Sequence, residues 1–378
     1  MKILNILRKV KDNRKGRGKR YPLASLLALI ILSRLCGYKD VKSAWHLCNQ
    51  LSKKQLHKLG FKHFSTPSHP TLLSALQNAD ITSMEESFSE VVMYLNKDGY
   101  QFSIDGKTLS GRKNEEGNVY HLVSAFCSEL GGVVMQNFSK PGGGEIDAAL
   151  SLLEKINIKN NIITGDALYA QSSLCEKIVS KEGNYVFTVK DNQAQLRHEL
   201  LQIFRTNPWP EKLRCYSEDV EKAHGRIEKR EIQVMNWPYV HRKDGFSTIK
   251  QAAIITRYRE DLHNKKGVAS PERVFLITSL SEKQAGPKEL LQYNRNHWAV
   301  ENQLHWHRDT LFGEDQQTIR CFDSPHASAA ISNLSLFLIK RAKNKSTKTL
   351  KNLSFSAITK HFARNISIPY KILFSCLA

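Results

Sequence analysis

No two cysteines in this chain stand in a Cys-x-x-Cys arrangement. The seven that are present, at positions 36, 48, 127, 175, 215, 321 and 376, are odd in number and scattered. That argues against both a disulfide framework and a thiolate zinc site, and points to a reducing cytoplasm. Long apolar runs are missing too. The run Leu23 to Leu32 is ended by Arg34 and falls well short of the ~20 residues that a membrane helix needs. The basic stretch before it leads to no small-residue cleavage site, so the run reads as a buried helix in a soluble protein. No internal repeat is visible. Acids are scarce as well: 36 Asp and Glu stand against 56 Lys and Arg, for a formal charge of +20. A basic excess of that size favours a polyanionic partner through phosphate neutralisation and release of counterions.

What is present falls into three parts. Residues 8–20 hold eight basic residues and one acid, either an arm lying along phosphates or a solvated terminus. Residues 22–60 then show helical spacing, with breaks at Gly37-Tyr38 and Leu51-Ser52, and a further helix is expected from about Thr71 to Leu95. This predicts a helical amino-terminal domain, 1–95, that binds DNA and can be removed to leave a folded core; a plain helical packing domain fits the same pattern. After Asn96-Lys-Asp-Gly the pattern changes to strands at 100–105, 119–128 and 132–139, with Gly131-Gly132 as a turn. Helix 145–157, strand 161–166, helix 172–182 and strand 185–190 follow. Three antiparallel strands, helix, strand, helix, strand make an α/β fold: a ribonuclease-H-like core with a mixed five-stranded sheet and flanking helices. Strand-like segments at 213–220, 227–235, 252–259 and 273–280 form a β-rich insertion, about 206–285, before a helix from Pro287 to Phe312. The core is expected over 96–345, with a basic tail at 346–378.

Three carboxylates carry the chemistry. Along strand 100–105, Gln101, Ser103 and Asp105 share the polar face, opposite Tyr100, Phe102 and Ile104. Asp166 ends the apolar run Ile162-Ile163-Thr164-Gly165. Taken alone, either Asp reads more simply as a cap or turn residue; on neighbouring strand ends they suggest a shared site. Glu301 lies on the 287–312 helix, where His297, Glu301, His305 and Arg308 fall on one face of an ideal α-helix; an isolated helix would make it a surface salt-bridging residue. A first-strand Asp, a second strand-end Asp and a late helical Glu suit two-metal phosphoryl transfer, because hard divalent cations take oxygen ligands. The histidines at 297, 305 and 307 have no Cys partners, which disfavours zinc. Should Glu301 not be the third ligand, Glu314 and Asp315 stand next in line.

Read together, Ile104-Asp-Gly-Lys, Thr164-Gly-Asp-Ala with Gln171 close behind, Ala223-His-Gly-Arg-Ile-Glu-Lys-Arg and Arg295-Asn-His-Trp-Ala-Val-Glu-Asn-Gln-Leu-His-Trp resemble the H-repeat-associated (ISAs-type) insertion-sequence transposases. That is a branch of the DDE class with a β-rich insertion before the Glu. The amino-terminal Lys19-Arg-Tyr-Pro-Leu-Ala-Ser-Leu-Leu-Ala-Leu resembles the domain associated with that family, so the similarity runs from about residue 12 to about 340. The His-Trp-Ala-Val-Glu-Asn-Gln-Leu-His-Trp block is its most specific part.

The resemblance implies that Asp105, Asp166 and Glu301 hold two Mg²⁺ ions, with Mn²⁺ as a substitute. It implies double-stranded DNA as partner, both the element's terminal inverted repeats and the target, with Lys107, Lys190, His224, Arg226, His297, Trp298, His305 and Arg308 as DNA contacts. It also implies at least a dimer on DNA, no membrane, and a cytoplasmic site of action. His297 stands where related branches carry arginine and Arg308 where they carry lysine. Lys140-Pro-Gly-Gly-Gly-Glu145 and Lys190-Asp-Asn-Gln depart from the family pattern, and Asp191 sets a negative charge beside Lys190. Two alternatives stay open: a nuclease of the same fold that cuts without joining, and a decayed or repurposed DNA-binding protein.

Overall fold

The computed structural model describes residues 2–375 apart from 17–18, 63–64, 114–118, 140–142, 207–209, 224–225, 239–245, 262–269, 315–323 and 347–348. The chain divides into two compact units: residues 1–97, 106–148 and 300–378 in one, 98–105 and 149–299 in the other.

The first unit is helical around one strongly apolar centre. Helices α1 (Ile3–Leu7), α2 (Leu23–Leu35), α3 (Val41–Gln50), α4 (Lys53–Lys58), α5 (His69–Asn78) and α6 (Ile81–Met93) follow in sequence. Their starts are written locally. Asp40, Ser52, Ser68 and Asp80 each accept a backbone N–H from the first turn, and Ser52 with Gln55 forms a reciprocal capping box. Every residue of α2 is buried, as expected for a helix that is apolar all round. It packs on α12 (Ser324–Lys345) and on α3 and α5. The hairpin of β2 (Val119–Cys127) and β3 (Gly132–Phe138) turns at Gly131, whose φ of +68° suits glycine. Helices α6 and α12 pack on β3. The segment expected as a tail folds into α13 (Phe355–Arg364) and α14 (Ser367–Ile372). Tyr370 donates to the Gln55 carbonyl at 2.9 Å, so α14 docks on the amino-terminal helices. Residues 8–20 are not simply an arm either: Arg14 is buried and paired with Asp12 at 2.8 Å.

The second unit is a mixed sheet ordered β1-β4-β5-β10-β9-β8-β6, with β7 (Glu221–Ala223) paired to β8. Strands β1 (Gln101–Lys113, of which 101–105 belong here), β4 (Ile162–Gly165) and β5 (Asn184–Val189) run parallel. Strands β10 (Glu272–Thr278), β9 (Gln251–Asp261), β8 (Arg226–Asn236) and β6 (Arg214–Ser217) continue antiparallel from β5. The β-rich insertion therefore lengthens the sheet rather than standing apart from it. Helices α7 (Glu145–Lys155), α8 (Ser172–Ser180), α9 (Ala194–Thr206) and α10 (Pro287–His297) join these strands. The mixed α/β class and the strand–helix order after residue 100 are as the sequence predicts; α9 was not anticipated. Among the described residues no helix is long and apolar enough to cross a membrane.

Candidate active site

Parallel pairing aligns Gln101 with Ile162, Phe102 with Ile163, Ser103 with Thr164 and Ile104 with Gly165. The next residue along each segment is an aspartate, so Asp105, still on β1, and Asp166, just past β4, stand side by side where β4 ends. The carboxyl ends of parallel strands are where open α/β sheets bind their ligands. Gly165 lets the chain turn there: a Cβ at this position would stand 2.9 Å from Cβ of Tyr169 and 3.0 Å from Cε1 of Phe187. Asp105 is half-buried and Asp166 exposed. Asp166 also does the simpler job of a cap, with Oδ1 accepting from the Leu168 N–H at 2.9 Å. One cap bond leaves acceptor capacity on that carboxylate.

Beneath the acids lies a buried polar ladder that sequence reading did not anticipate. Gln101, Ser103 and Thr164 are each at most 1% exposed. Gln101 Nε2 donates to Thr164 Oγ1 at 2.9 Å and to the Tyr293 carbonyl at 2.8 Å, and the Ser103 hydroxyl is 3.1 Å from the Thr164 hydroxyl. The polar face of β1 is thus covered by α10 rather than by solvent. The alternation of Gln101 and Ser103 with apolar neighbours was the signal that could have found it.

Helix α10 is anchored at both ends. Pro287 occupies its first turn, and Glu289 accepts from the Gly286 N–H at 3.0 Å. Leu290 and Leu291 sink into a cluster with Ile162, Val186, Ile232 and Leu276. Arg295 bonds Glu218 at 2.8 Å and Glu221 at 3.1 Å. The last residue of the helix, His297, is half-buried, with Nδ1 3.3 Å from the Thr164 hydroxyl. Burial holds its imidazole below the ordinary pKa, while the charges of Asp105 and Asp166 pull the other way. Two carboxylates and one imidazole therefore share this corner.

Around them, Lys190 is exposed at the end of β5 and Trp298 is 54% exposed just after α10. Asp191 makes an ion pair at 3.5 Å with Arg197. Asn192 donates to the Ala167 carbonyl at 2.6 Å, and Gln193 to Gln171 at 3.0 Å, which ties the loop after β5 to the one carrying Asp166. His224 and residues 140–142 lie outside the described residues, as does the side chain of Arg226, although its backbone begins β8.

The remaining sequence-selected residues belong to the other unit. Glu301 is exposed on a stretch of π-helix, Val300–His305, that precedes α11 (Trp306–Phe312). The 287–312 segment is therefore not one regular α-helix. A π turn, of the kind often found at functional sites, shifts the register between Glu301 and Arg308. Arg308 is fully buried and bonds Glu314 at 2.5 Å. Lys107 bonds Asp309 and lies 3.6 Å from Glu314. Both were expected at phosphates; in the structure each pairs with an acid, Lys107 with the half-buried Asp309 and Arg308 with the buried Glu314. Glu314, the fallback third ligand, is spent in the same cluster, and Asp315 lies outside the described residues. His305 is half-buried. Among the described residues no three metal-ligating side chains are gathered tightly enough to hold an ion. The paired aspartates nonetheless offer the oxygen donors that a hard cation takes.

Residues 96–338 match the family model described as "Transposase DDE domain", and residues 4–92 the one described as "DDE_Tnp_1-associated". The chain is 27% identical over 351 residues to "Putative transposase YncI" of Escherichia coli O157:H7, covering 90% of this chain and 88% of that one. It is 26% identical over 326 residues to "H repeat-associated putative transposase YhhI" of Escherichia coli K12, covering 84% and 85%. It is 28% identical over 271 residues to "Uncharacterized protein in dhlA 3'region" of Xanthobacter autotrophicus, covering 69% and 88%.

Proposed function

The chain belongs to the DDE transposases, and from that premise we propose that it cleaves DNA at the ends of its own insertion sequence and joins those ends to target DNA. Members of the family generally use divalent metal ions. The observation that carries the reading is the pair Asp105 and Asp166, brought together by the parallel register of β1 and β4. Glu301, four residues beyond His297 in the chain, is assigned as the third carboxylate. Two Mg²⁺ ions, replaceable by Mn²⁺, are the proposed cofactor, and when bound they would activate the attacking water or 3′-hydroxyl and stabilise the leaving oxygen.

The chain's own contribution is positioning. The Gln101–Thr164 ladder fixes the strand ends and orients His297, while the salt bridges of Arg295 fix the helix that carries it. His297 sets a neutral imidazole against the two aspartates. Lys190 and Trp298, both exposed, with His305, His224 and Arg226, are the proposed contacts to DNA. Lys107 and Arg308 act instead by holding Asp309 and Glu314 in place. Residues 1–95 are proposed to recognise the element's terminal repeats and residues 96–345 to carry catalysis. Work on two ends at once requires at least a dimer on DNA, in the cytoplasm.

The test is Mg²⁺-dependent cleavage of a labelled terminal-repeat duplex by Asp105→Asn and Asp166→Asn, with end-binding measured beside it. Both variants should bind as the parent does and cleave slower by orders of magnitude. Near-parental cleavage by either one would remove that aspartate from the site.

A further inference from the structure

A cavity of about 260 Å³ lies within the helical unit, lined by Phe126, Gln303, His307, Lys340, Lys343 and Phe355, among others. We propose that this cavity binds a phosphate monoester carried on a compact ring-bearing body, either a free nucleoside monophosphate or the 5′-phosphorylated end of a DNA strand. The cavity shares no lining residue with the aspartate pair and stands independently of the function proposed for that pair.

The cations are built in. Lys340 Nζ donates to the Ser128 carbonyl at 3.0 Å and to Gln303 Oε1 at 2.8 Å. Lys343 Nζ donates to the Leu353 carbonyl at 2.7 Å. An ammonium has three donors, so each lysine is held in place with at least one N–H left to give. The stem of Lys340 crosses Gly131 so closely that a Cβ there would stand 1.9 Å from Lys340 Cδ. Only glycine permits that path, at a position whose φ of +68° already favours it. The Nδ1 of His307 is buried without a hydrogen-bond partner among the described residues.

Among the described residues no acidic side chain lines the cavity, and its lysines give the lining net positive charge; Glu129 acts on Lys340 from nearby. Burial holds Lys340 below its ordinary pKa; burial, then the charges of Lys340 and Lys343, do the same to His307. An anion beside them would oppose both shifts. The rest of the wall is apolar and aromatic: Phe126, Leu336, and Phe355, which packs against the His307 ring at a centroid distance of 4.3 Å. Gln303 and Asn344 add amide groups. The volume lies just under the ~300–1,000 Å³ of pockets that take drug-sized ligands, which limits the occupant to a single small unit. Cations set beside aromatic and apolar walls select a phosphate attached to a ring rather than a bare ion.

The experiment is calorimetric titration of the full-length protein at moderate salt with thymidine, thymidine 5′-monophosphate, inorganic phosphate, and the dinucleotides TpT and pTpT. The monophosphate should bind, thymidine should not, and inorganic phosphate should bind more weakly. Preference for pTpT over thymidine monophosphate identifies a strand end as the occupant; the reverse identifies a free nucleotide. Lys343→Gln and Lys340→Met should each weaken binding about tenfold or more, the loss expected for one charge-assisted bond. Lys54→Gln, exposed on α4, should leave it unchanged and so controls for the general basic charge. Lys343→Gln also keeps the test open should Lys340→Met misfold. Equal binding of thymidine and its monophosphate, no binding of any probe, or equal weakening by Lys54→Gln would overturn the proposal.

Discussion

The hydroxyl of Thr164 lies 3.3 Å from Nδ1 of His297, and the same oxygen accepts from Gln101 Nε2 at 2.9 Å. A threonine hydroxyl has one proton to give and two lone pairs. With Gln101 donating to it, the arrangement that satisfies every group has Thr164 donate to His297 Nδ1, which leaves the proton of a neutral imidazole on Nε2.

Thr164→Val is expected to break this chain while keeping the side-chain shape. Unpairing buried polar groups costs about 1–3 kcal/mol, read as a lower midpoint in a urea melt. Cleavage should fall as well, because His297 loses its orientation, while DNA binding is retained. Thr164→Ser should restore both. If the valine variant cleaves as the parent does, the ladder is a packing feature and His297 needs no orienting partner.

A second expectation concerns acid stability. Arg14 is 4% exposed and reaches Asp12 at 2.8 Å and the Tyr21 carbonyl at 2.7 Å. Burial raises the Asp12 carboxyl, but hydrogen bonds from the Arg14 side chain and backbone, and the charges of Arg14 and Lys19, outweigh it and hold the group below the usual carboxylate range. A folded pKa below the unfolded one means that this stability is present above the unfolded value and is lost as pH falls through the folded value. Asp12→Asn should destabilise on the order of 2 kcal/mol at neutral pH, less than the ~3–5 of a fully buried pair, since Asp12 keeps part of its surface in water. The gap between variant and parent should close below about pH 4. A gap that persists in acid would show that packing, not charge, sets the difference.

Much of this molecule was legible along the chain and less of it across the chain. The strands at 100–105, 119–128 and 161–166 were readable because burial on a pleated sheet imposes alternation or an apolar run. Asp105 and Asp166 could be paired because neighbouring strand ends follow from strand order. The fate of Arg308 could not be read, because a helical wheel assumes 3.6 residues per turn and the π turn at Val300–His305 breaks that count. Helix α9 was written in Leu196, Leu200 and Ile203, a stripe too thin to stand out in a polar stretch. That the polar face of β1 is covered depends on Tyr293, distant in sequence.

The same limit bears on residues 1–95, which the composition change near residue 96 made look removable. In the structure α2 packs on α12 and α6 packs on both β3 and α12, and Arg34 bonds Ser328 at 3.3 Å. Deletion of 1–95 would expose the apolar length of α12. The truncated protein should be insoluble or lack a cooperative melt. A soluble, cooperatively folding remainder would show that the shared core is dispensable.

Glu301 gives the sharpest expectation. Its side chain is exposed on the π-helical stretch, so Glu301→Gln, which keeps the shape and removes the charge, should alter stability by no more than about 0.5 kcal/mol. A hard cation needs that charge, so Mg²⁺-dependent cleavage of a terminal-repeat duplex should nonetheless fall by orders of magnitude with end-binding intact. Groups that serve one metal pair act as a unit, so Asp105→Asn combined with Glu301→Gln should be little worse than either alone. Additive losses would mean that the two carboxylates act in separate steps. Near-parental cleavage by Glu301→Gln would dismiss it as a ligand, and Glu314 could not take its place, being buried against Arg308 and Lys107. Asp315 would then be the residue to substitute next, with the same cleavage and binding assays deciding its role.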